Sequence, residues 1–232
     1  MDKFIDIPTE ISIIGEKPIV YVPVKEMLAS APGFRSLYSS REIYFEEVYL
    51  DILDKAYLPP LKKLNSEYQP LLDRLRQGMK GEVKLKGETF YLLEKAGEIE
   101  FSLVAEGLRK LALLWLLIRN GSLTSGATLF WDEPETNLNP SMLPMVVDIL
   151  LRLVKLGVQI FIATHSYPLL KEFDLQHRDR LVRYFNLRFN VQGLVRVDPV
   201  DRYDRLTPNK IDEEYTRIYD LEIERALGHG DE

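Results

Sequence analysis

Two adjacent acids, Asp132 and Glu133, directly follow the apolar run A-T-L-F-W at residues 127–131. A hydrophobic strand that ends in two acids is typical of a Mg·ATP site, where the first acid holds the metal and the second orients or deprotonates the attacking water. Ligands of open parallel sheets bind at the carboxyl ends of the strands. We therefore interpret Asp132 as the metal acid and Glu133 as the catalytic base. For the two acids alone, a strand ending in an acidic turn would be the simpler explanation.

A single histidine, His165, stands at the end of the next apolar run, residues 158–164. If the two strands are neighbours, its imidazole lies beside Asp132 and can donate a hydrogen bond to a γ-phosphate or to the attacking water. A lone histidine is more often structural. The spacing of one helix and one strand after the acids favours the functional interpretation.

A third candidate element for nucleotide binding lies at residues 102–110, at the start of a long predicted helix, and contains Gly107. A glycine at a helix start lets a phosphate approach the backbone amides and the positive end of the helix dipole. On its own, this string is weak evidence for a phosphate site.

Local patterns predict the elements that must position these residues. Apolar strands alternating with helices are typical of a parallel sheet that is covered on both faces. The predicted elements are a helix at 103–119 that stops at Asn120-Gly121, a strand at 127–132, a helix at 142–155 capped by Ser141 with Pro144 in its first turn, a strand at 158–164, and a helix capped by Ser166 with Pro168 in its first turn.

The rest of the chain divides around this central stretch. We expect a strand at 18–23, two or three helices between 40 and 78, a β-hairpin over 81–93 that turns near 86–88, weaker strands at 181–187 and 193–197, and a helix at 210–226. The resulting organisation has four segments: residues 1–39 with the first strand, a helical arm with the hairpin at 40–98, a core at 99–180, and C-terminal strands and helix at 181–232.

Taken in order, these motifs resemble the ABC ATPase superfamily, and within it the OLD-like branch of stand-alone bacterial AAA (ABC-like) ATPases found among anti-phage defence proteins. The resemblance runs from about Ile19 to Phe173. It implies a layered α/β half-domain of the P-loop NTPase type, with a mostly parallel sheet, flanking helices and an inserted arm. It also implies ATP and Mg²⁺ as ligands, and work in phage defence or on DNA.

The same resemblance assigns roles to individual residues. It implies that Asp132 and Glu133 are the Walker B acids and that His165 is the switch histidine. The signature motif would be Ala105, Glu106 and Gly107, and the D-loop would be Asn137 to Asn139. Lys25 and Glu26 stand at the Q-loop position, where they would touch the metal or the nucleotide. The sequence departs from the family at Ala105, where a serine is usual, so one hydroxyl contact with a γ-phosphate is lost.

The larger departure concerns the phosphate loop. None of the thirteen glycines belongs to a G-x-x-x-x-G-K-[ST] string, and only eighteen residues precede Ile19. We therefore expect a C-terminal half-core that needs a Walker A-bearing chain or lobe and is inactive alone. A head-to-tail dimer is the arrangement of the intact family, and a sheet without its first lobe should expose an edge or a face. A non-catalytic subunit that docks on an intact ATPase is the alternative.

Composition limits the other function classes. The formal charge of −6 argues against a broad nucleic-acid surface, although a local patch stays open. The best basic cluster comprises Arg178, Arg180, Arg183 and Arg188, interleaved with Tyr184 and Phe185, and we interpret it as a solvated strand edge rather than a binding patch. A metal-dependent nuclease that uses Asp198, Asp201 and Asp204 is the weakest alternative.

Location follows from the longest apolar run and from cysteine usage. The longest apolar run, Leu111–Ile118, is far short of the ~20 residues that cross a bilayer. The N-terminus has no signal-peptide pattern and the chain has no cysteine, which fits a reducing cytosol. We expect a cytoplasmic protein without a membrane segment.

Overall fold

The computed structural model describes residues 17–41, 45–177 and 181–228. Its strands are β1 (Ile19–Val22), β2 (Glu82–Lys86), β3 (Thr89–Glu94), β4 (Gly97–Glu100), β5 (Thr128–Asp132), β6 (Gln159–Ala163), β7 (Tyr184–Phe189) and β8 (Val195–Val200). Its α-helices are α1 (Phe34–Arg41), α2 (Glu47–Ala56), α3 (Gln69–Met79), α4 (Glu106–Arg119), α5 (Leu143–Lys155), α6 (Tyr167–Gln176) and α7 (Lys210–Gly228). Of the helices in the described part of the chain, none combines the length and apolarity that crossing a membrane requires.

A three-stranded parallel sheet with flanking helices forms the centre of the fold, as the strand–helix–strand pattern predicted. The strand order is β1-β5-β6, and the register aligns Val20 with Leu129 and Leu129 with Ile160. Because side chains alternate along a strand, these aligned residues share one face. That face joins the hydrophobic core, together with apolar residues of α4 and α5.

The opposite face of the central sheet is open. Phe130 and Phe161 lie on it with 38% and 42% of their surface exposed, and their rings stack with centroids 4.8 Å apart. The predicted covering of both faces is therefore wrong for the described residues. The exposed face that we expected from the missing phosphate loop is present, and the outer edge of β6 has no strand partner within the described ranges.

The start of α5 differs from its prediction. Asn139, rather than Ser141, is the capping residue: its side-chain oxygen accepts a hydrogen bond from the Ser141 amide at 3.0 Å. A short 3₁₀ turn, Pro140–Met142, then leads into the α-helix, so Ser141 lies inside the turn. The predicted position of Pro144 in the first turn of α5 is confirmed, and so is the cap of α6, where the Ser166 hydroxyl accepts from the Leu169 amide at 3.3 Å.

The inserted arm combines α1, α2 and α3 with an antiparallel sheet of order β2-β3-β4. The predicted hairpin is confirmed, and its turn lies at Gly87, where φ is +61°. The third strand, β4, was missed because its sequence G-E-I-E offers a single half-buried apolar residue, Ile99. The helical region also begins earlier than predicted, since α1 starts at Phe34 directly after Gly33.

The C-terminal part forms a separate small layer. Strands β7 and β8 pair as an antiparallel hairpin, two to three residues later than the predicted strands. Helix α7 follows at the predicted place and has no buried residue. One ring contact, Tyr167 stacked on Tyr215 with centroids 4.4 Å apart, links α7 to α6.

Candidate functional site

The carboxyl ends of β5 and β6 bring the predicted acids and histidine to one place. The two strands are parallel neighbours, with Asp132 aligned to Ala163, and the Glu133 amide donates to the Ala163 carbonyl at 2.9 Å. The prediction that these strands are neighbours is confirmed. His165 follows β6 by two residues and therefore lies at the edge of the sheet where β5 delivers its carboxylates.

Glu133 makes the central contact of this edge. Its Oε1 lies 3.1 Å from Nδ1 of His165, and its Oε2 accepts a hydrogen bond from the Thr136 hydroxyl at 2.9 Å. The Glu133 backbone has φ +43°, a left-handed conformation that costs a non-glycine residue about 1–3 kcal/mol. The His165 side chain is 76% exposed, so it can contact a ligand while it holds the glutamate.

Asp132 differs from Glu133 in its surroundings. It is the last residue of β5 and shares the open face of the sheet with Phe130, because the two are two positions apart. Its side chain is half-buried. A carboxylate at this position can reach a metal ion above the sheet edge.

A third acid, Glu135, follows Glu133 by two residues and had no predicted role. Its Oε1 accepts a hydrogen bond from the Thr164 hydroxyl at 2.5 Å, and its Oε2 is buried without a partner. The Thr164 hydroxyl in turn accepts from the Ser166 amide at 3.0 Å. This chain of bonds ties the loop after β5 to the loop after β6.

Lys110 is a further residue that sequence reasoning missed. It lies on α4 with 1% of its surface exposed, and its Nζ donates to the Glu133 carbonyl at 3.2 Å. Burial lowers the pKa of its ammonium group, while the carboxylates of Glu106, Glu135 and Glu133 act to raise it. The only available signal in the sequence was a charged residue within an otherwise apolar helix face.

Gly107 lies in the first turn of α4, against the loop that follows the acids. A Cβ atom at this position would lie 2.5 Å from the Asn137 carbonyl oxygen and 3.2 Å from Cα of Leu138. Asn137 itself has φ +62°, so this loop is tightly turned. The predicted signature and D-loop segments are therefore in contact, and glycine permits their close approach.

The other predicted members of these segments make local contacts. Ala105 is the N-cap residue of α4 and forms no side-chain cap, and Glu106 is the acid of its first turn. The Asn139 side chain is occupied as the cap of the turn before α5.

The two residues at the predicted Q-loop position, Lys25 and Glu26, have different surroundings. The Glu26 side chain is fully buried, and it accepts hydrogen bonds from the Arg109 guanidinium and the Leu28 amide. Burial raises the pKa of the Glu26 carboxyl, and these two hydrogen bonds oppose that rise. Lys25 is exposed and lies over the Phe45 ring at 5.5 Å from its centroid. Glu26 thus links the loop after β1 to α4 through Arg109.

Comparison with known proteins identifies the family. Residues 18–171 match the family model described as "AAA domain, putative AbiEii toxin, Type IV TA system". The chain belongs to this family of AAA domains. Its membership and its α/β fold confirm the predicted ABC-like AAA ATPase superfamily. No curated protein matches the chain.

Solved structures similar to this AAA domain resemble it weakly. An Smc head bound to the C-terminal winged-helix domain of ScpA matches with TM-score 0.44 and 12% identity over 75% of this chain and 48% of that one. A structure on ATP-driven dimerization of SMC ATPases matches with TM-score 0.42 and 9% identity over 67% and 95% of the two chains. An ABC-transporter ATP-binding cassette in its ADP conformation matches with TM-score 0.33 and 16% identity over 68% and 55%. The AAA domain thus spans about half the length of the Smc head chain.

The three acids of the alternative metal site lie beyond the matched AAA region, and each of them pairs with an arginine. Asp198 pairs with Arg188 at 2.7 Å, Asp201 with Arg183 at 3.3 Å, and Asp204 with Arg202 at 2.5 Å. In the described ranges, no group of three or more His, Cys, Asp or Glu side chains could hold a metal ion. Asp198, Asp201 and Asp204 therefore form ion pairs with arginines and do not form a shared cluster of metal ligands.

The predicted basic cluster is partly neutralised by two of the same ion pairs. Arg183 and Arg188 both pair with acids, whereas Arg178 and Arg180 lie outside the described residues. Exposed pairs of this kind favour the predicted solvated strand edge over a phosphate-binding patch.

The acids after β5 suit Mg²⁺ better than a metal enclosed by protein ligands. Magnesium keeps several waters and binds through one or two carboxylates together with substrate phosphates. The half-buried Asp132 at the end of β5 fits this arrangement, and the ATP phosphates would supply the remaining ligands.

Proposed function

We propose that this AAA domain supplies the acid and histidine side of an ATP-hydrolysing site. The observation that carries the proposal is the 3.1 Å contact between Oε1 of Glu133 and Nδ1 of His165 at the ends of neighbouring parallel strands, with Asp132 beside them. Glu133 and His165 thus meet, and β5 ends in Asp132, at the carboxyl ends of the strands, where ligands of parallel sheets bind. Acid, base and polar donor are the groups that phosphoanhydride hydrolysis requires.

Each residue has a distinct role in this proposal. Asp132 holds Mg²⁺, directly or through water. Glu133 orients the attacking water and accepts its proton, and the Thr136 hydroxyl and the His165 ring keep its carboxylate in place. His165 presents its other nitrogen, Nε2, to the γ-phosphate.

The phosphates need a second lobe. No G-x-x-x-x-G-K-[ST] string occurs in the printed sequence, so we assign that loop to a further lobe, on a second chain or elsewhere in a longer protein. The open edge of β6 and the stacked pair Phe130 and Phe161 are the surfaces that suit it. A strand added parallel to β6 would place its following loop beside His165, and the next helix would cover the aromatic pair.

The start of α4 is assigned to the opposite nucleotide of a head-to-tail dimer. The amides of Glu106 and Gly107 lie at the positive end of a 14-residue helix. We place the ATPase cycle in phage defence or DNA-related work, in line with the toxin–antitoxin system that the family description names.

The test is reconstitution of ATP hydrolysis. The chain is assayed with Mg·ATP alone and mixed with a neighbouring-gene product that carries G-x-x-x-x-G-K-[ST]. We expect turnover only in the mixture. Glu133→Gln should lower that turnover by about 10²–10⁴-fold, because it removes the base, and should leave ATP bound. Full turnover by the Glu133→Gln complex would overturn the proposal and favour the non-catalytic alternative.

The docking surface is tested separately by complex formation. Phe161→Ser removes half of the stacked pair and should weaken binding of the phosphate-loop chain. Phe185→Ser is the matched control, because Phe185 is similarly exposed, at 50%, but lies on β7. Equal binding by both variants would show that the open sheet face is not the docking surface.

A further inference from the structure

Lys110 is a buried charge in a position that an apolar residue could fill. It is one of four polar or charged residues that are buried in the described ranges, and the only lysine or arginine among them. Its neighbours on α4, Leu111, Leu113 and Leu114, are all buried. Lysine is rarely fully buried unless it is paired, because an unpaired ammonium group loses its hydration. Packing alone therefore does not explain a lysine at this position, because leucine or methionine would fill the same space without a buried charge.

The contacts of Lys110 point to the Glu133 backbone. Nζ donates to the Glu133 carbonyl oxygen at 3.2 Å, and α4 approaches this carbonyl from the protein interior. The amide of the same residue donates to the Ala163 carbonyl at 2.9 Å. The peptide groups on either side of the Glu133 Cα are thus both held, one by the neighbouring strand and the other by Lys110.

The Glu133 backbone conformation needs such support. At φ +43°, a glutamate persists only where its surroundings determine the conformation. A return of Glu133 to an ordinary φ would turn its carbonyl away from Nζ and leave the buried ammonium without that acceptor. The carboxylates of Glu106, Glu135, Glu133 and Glu26 act to raise the pKa of this ammonium group, against the larger effect of burial, which lowers it.

We propose that Lys110 is a positioning residue, which fixes the left-handed turn at Glu133 and so directs the Glu133 carboxylate towards His165. Lys110 itself is buried, and its ammonium group donates to a backbone carbonyl. The positioning is a property of the folded chain and stands independently of ATP. Its catalytic consequence rests on the proposed function.

The first test needs neither ATP nor a partner. NMR signals of the His165 ring are recorded for the wild type and for Lys110→Met, which keeps a long side chain but removes the charge and the donor. We expect the His165 signals to shift while those of His177, on the far end of α6, stay in place. Leu114→Met on the same helix is the matched control and should leave both rings unchanged.

The outcomes separate positioning from simple packing. Unchanged His165 signals in a folded Lys110→Met chain would overturn the proposal, and so would equal shifts of His165 and His177, because they would indicate a general loss of structure. If Lys110→Met does not fold, the same His165 and His177 signals are recorded for Lys110→Arg, which keeps the charge but displaces the donors. A shift confined to His165 supports positioning, and no shift overturns it.

The second test uses the reconstituted complex. Misplacing the catalytic carboxylate should lower kcat of Lys110→Met by up to about 100-fold, with the Kd for ATP unchanged. A rise in Kd at constant kcat would overturn the catalytic consequence. If the wild-type complex shows no turnover, the proposed function fails, and the His165 signals still decide the positioning proposal.

Discussion

The contact between Gly107 and the Asn137 carbonyl can be tested with a single methyl group. In Gly107→Ala, the new Cβ would lie 2.5 Å from that oxygen and 3.2 Å from Cα of Leu138. Both neighbours are backbone atoms in a loop whose Asn137 has φ +62°, so neither can rotate away. The helix start or the loop must therefore shift.

The expected magnitude follows from two opposing effects. Overpacking of a well-packed site costs about 1–3 kcal/mol, and replacing glycine by alanine within a helix returns about 1 kcal/mol. Because the contact is with backbone, the cost lies in the upper part of its range. We expect Gly107→Ala to lower the free energy of unfolding by about 1–2 kcal/mol, which for a domain of this size lowers Tm by about 2–8 °C.

Gly78 provides the matched control in another helix. A Cβ there would meet Cε and Sδ of Met145 at 2.7 and 2.9 Å, the far end of a flexible side chain. Met145 can change rotamer, so Gly78→Ala should be neutral or stabilising in the same urea and thermal unfolding measurements. The predicted steric conflict at Gly107 is refuted if Gly107→Ala is as stable as the wild type. It is also refuted if Gly107→Ala and Gly78→Ala lower the free energy of unfolding equally.

Two further predictions concern the side chains around the site. His165→Asn should leave Tm unchanged, because the side chain is 76% exposed. The same variant should lower turnover of the reconstituted complex by at least about 10²-fold. Unchanged turnover would contradict the role of His165. Arg109→Met should lower the free energy of unfolding by about 3–5 kcal/mol, because it leaves the fully buried Glu26 carboxylate without its cation. The double variant Glu26→Met/Arg109→Met should recover most of that loss in urea unfolding, and an equally unstable double variant would show that the pair is not the cause.

Much of the candidate site was predictable from local patterns. The acids after β5 and the histidine after β6 stand out because an apolar strand must end before polar residues begin. The helix caps were less predictable. Ser166 was assigned correctly. Ser141 is not a cap, because a 3₁₀ turn begins one residue earlier, at Pro140, and Asn139 caps that turn. Two possible caps separated by one residue cannot be ranked by their side chains alone.

The supporting residues could not be predicted. Lys110 and Glu133 lie 23 residues apart, and Thr164 and Glu135 lie 29 apart. No periodicity links such pairs, because their contact depends on how α4 packs under β5 and how β5 pairs with β6. For the same reason, the contact of Glu26 with Arg109, 83 residues further along, could not be predicted.

Sequence alone therefore determined most of the elements, apart from β4, and which of their ends carry acids, glycine and histidine, since these features depend on neighbouring residues. Tertiary structure decided that Glu133 meets His165, that Lys110 holds the Glu133 carbonyl, and that Phe130 lies on an open face. The physical reason is that strand register and helix packing are set by the burial of side chains distant in the chain, and a contact between distant residues exists only once that burial is complete.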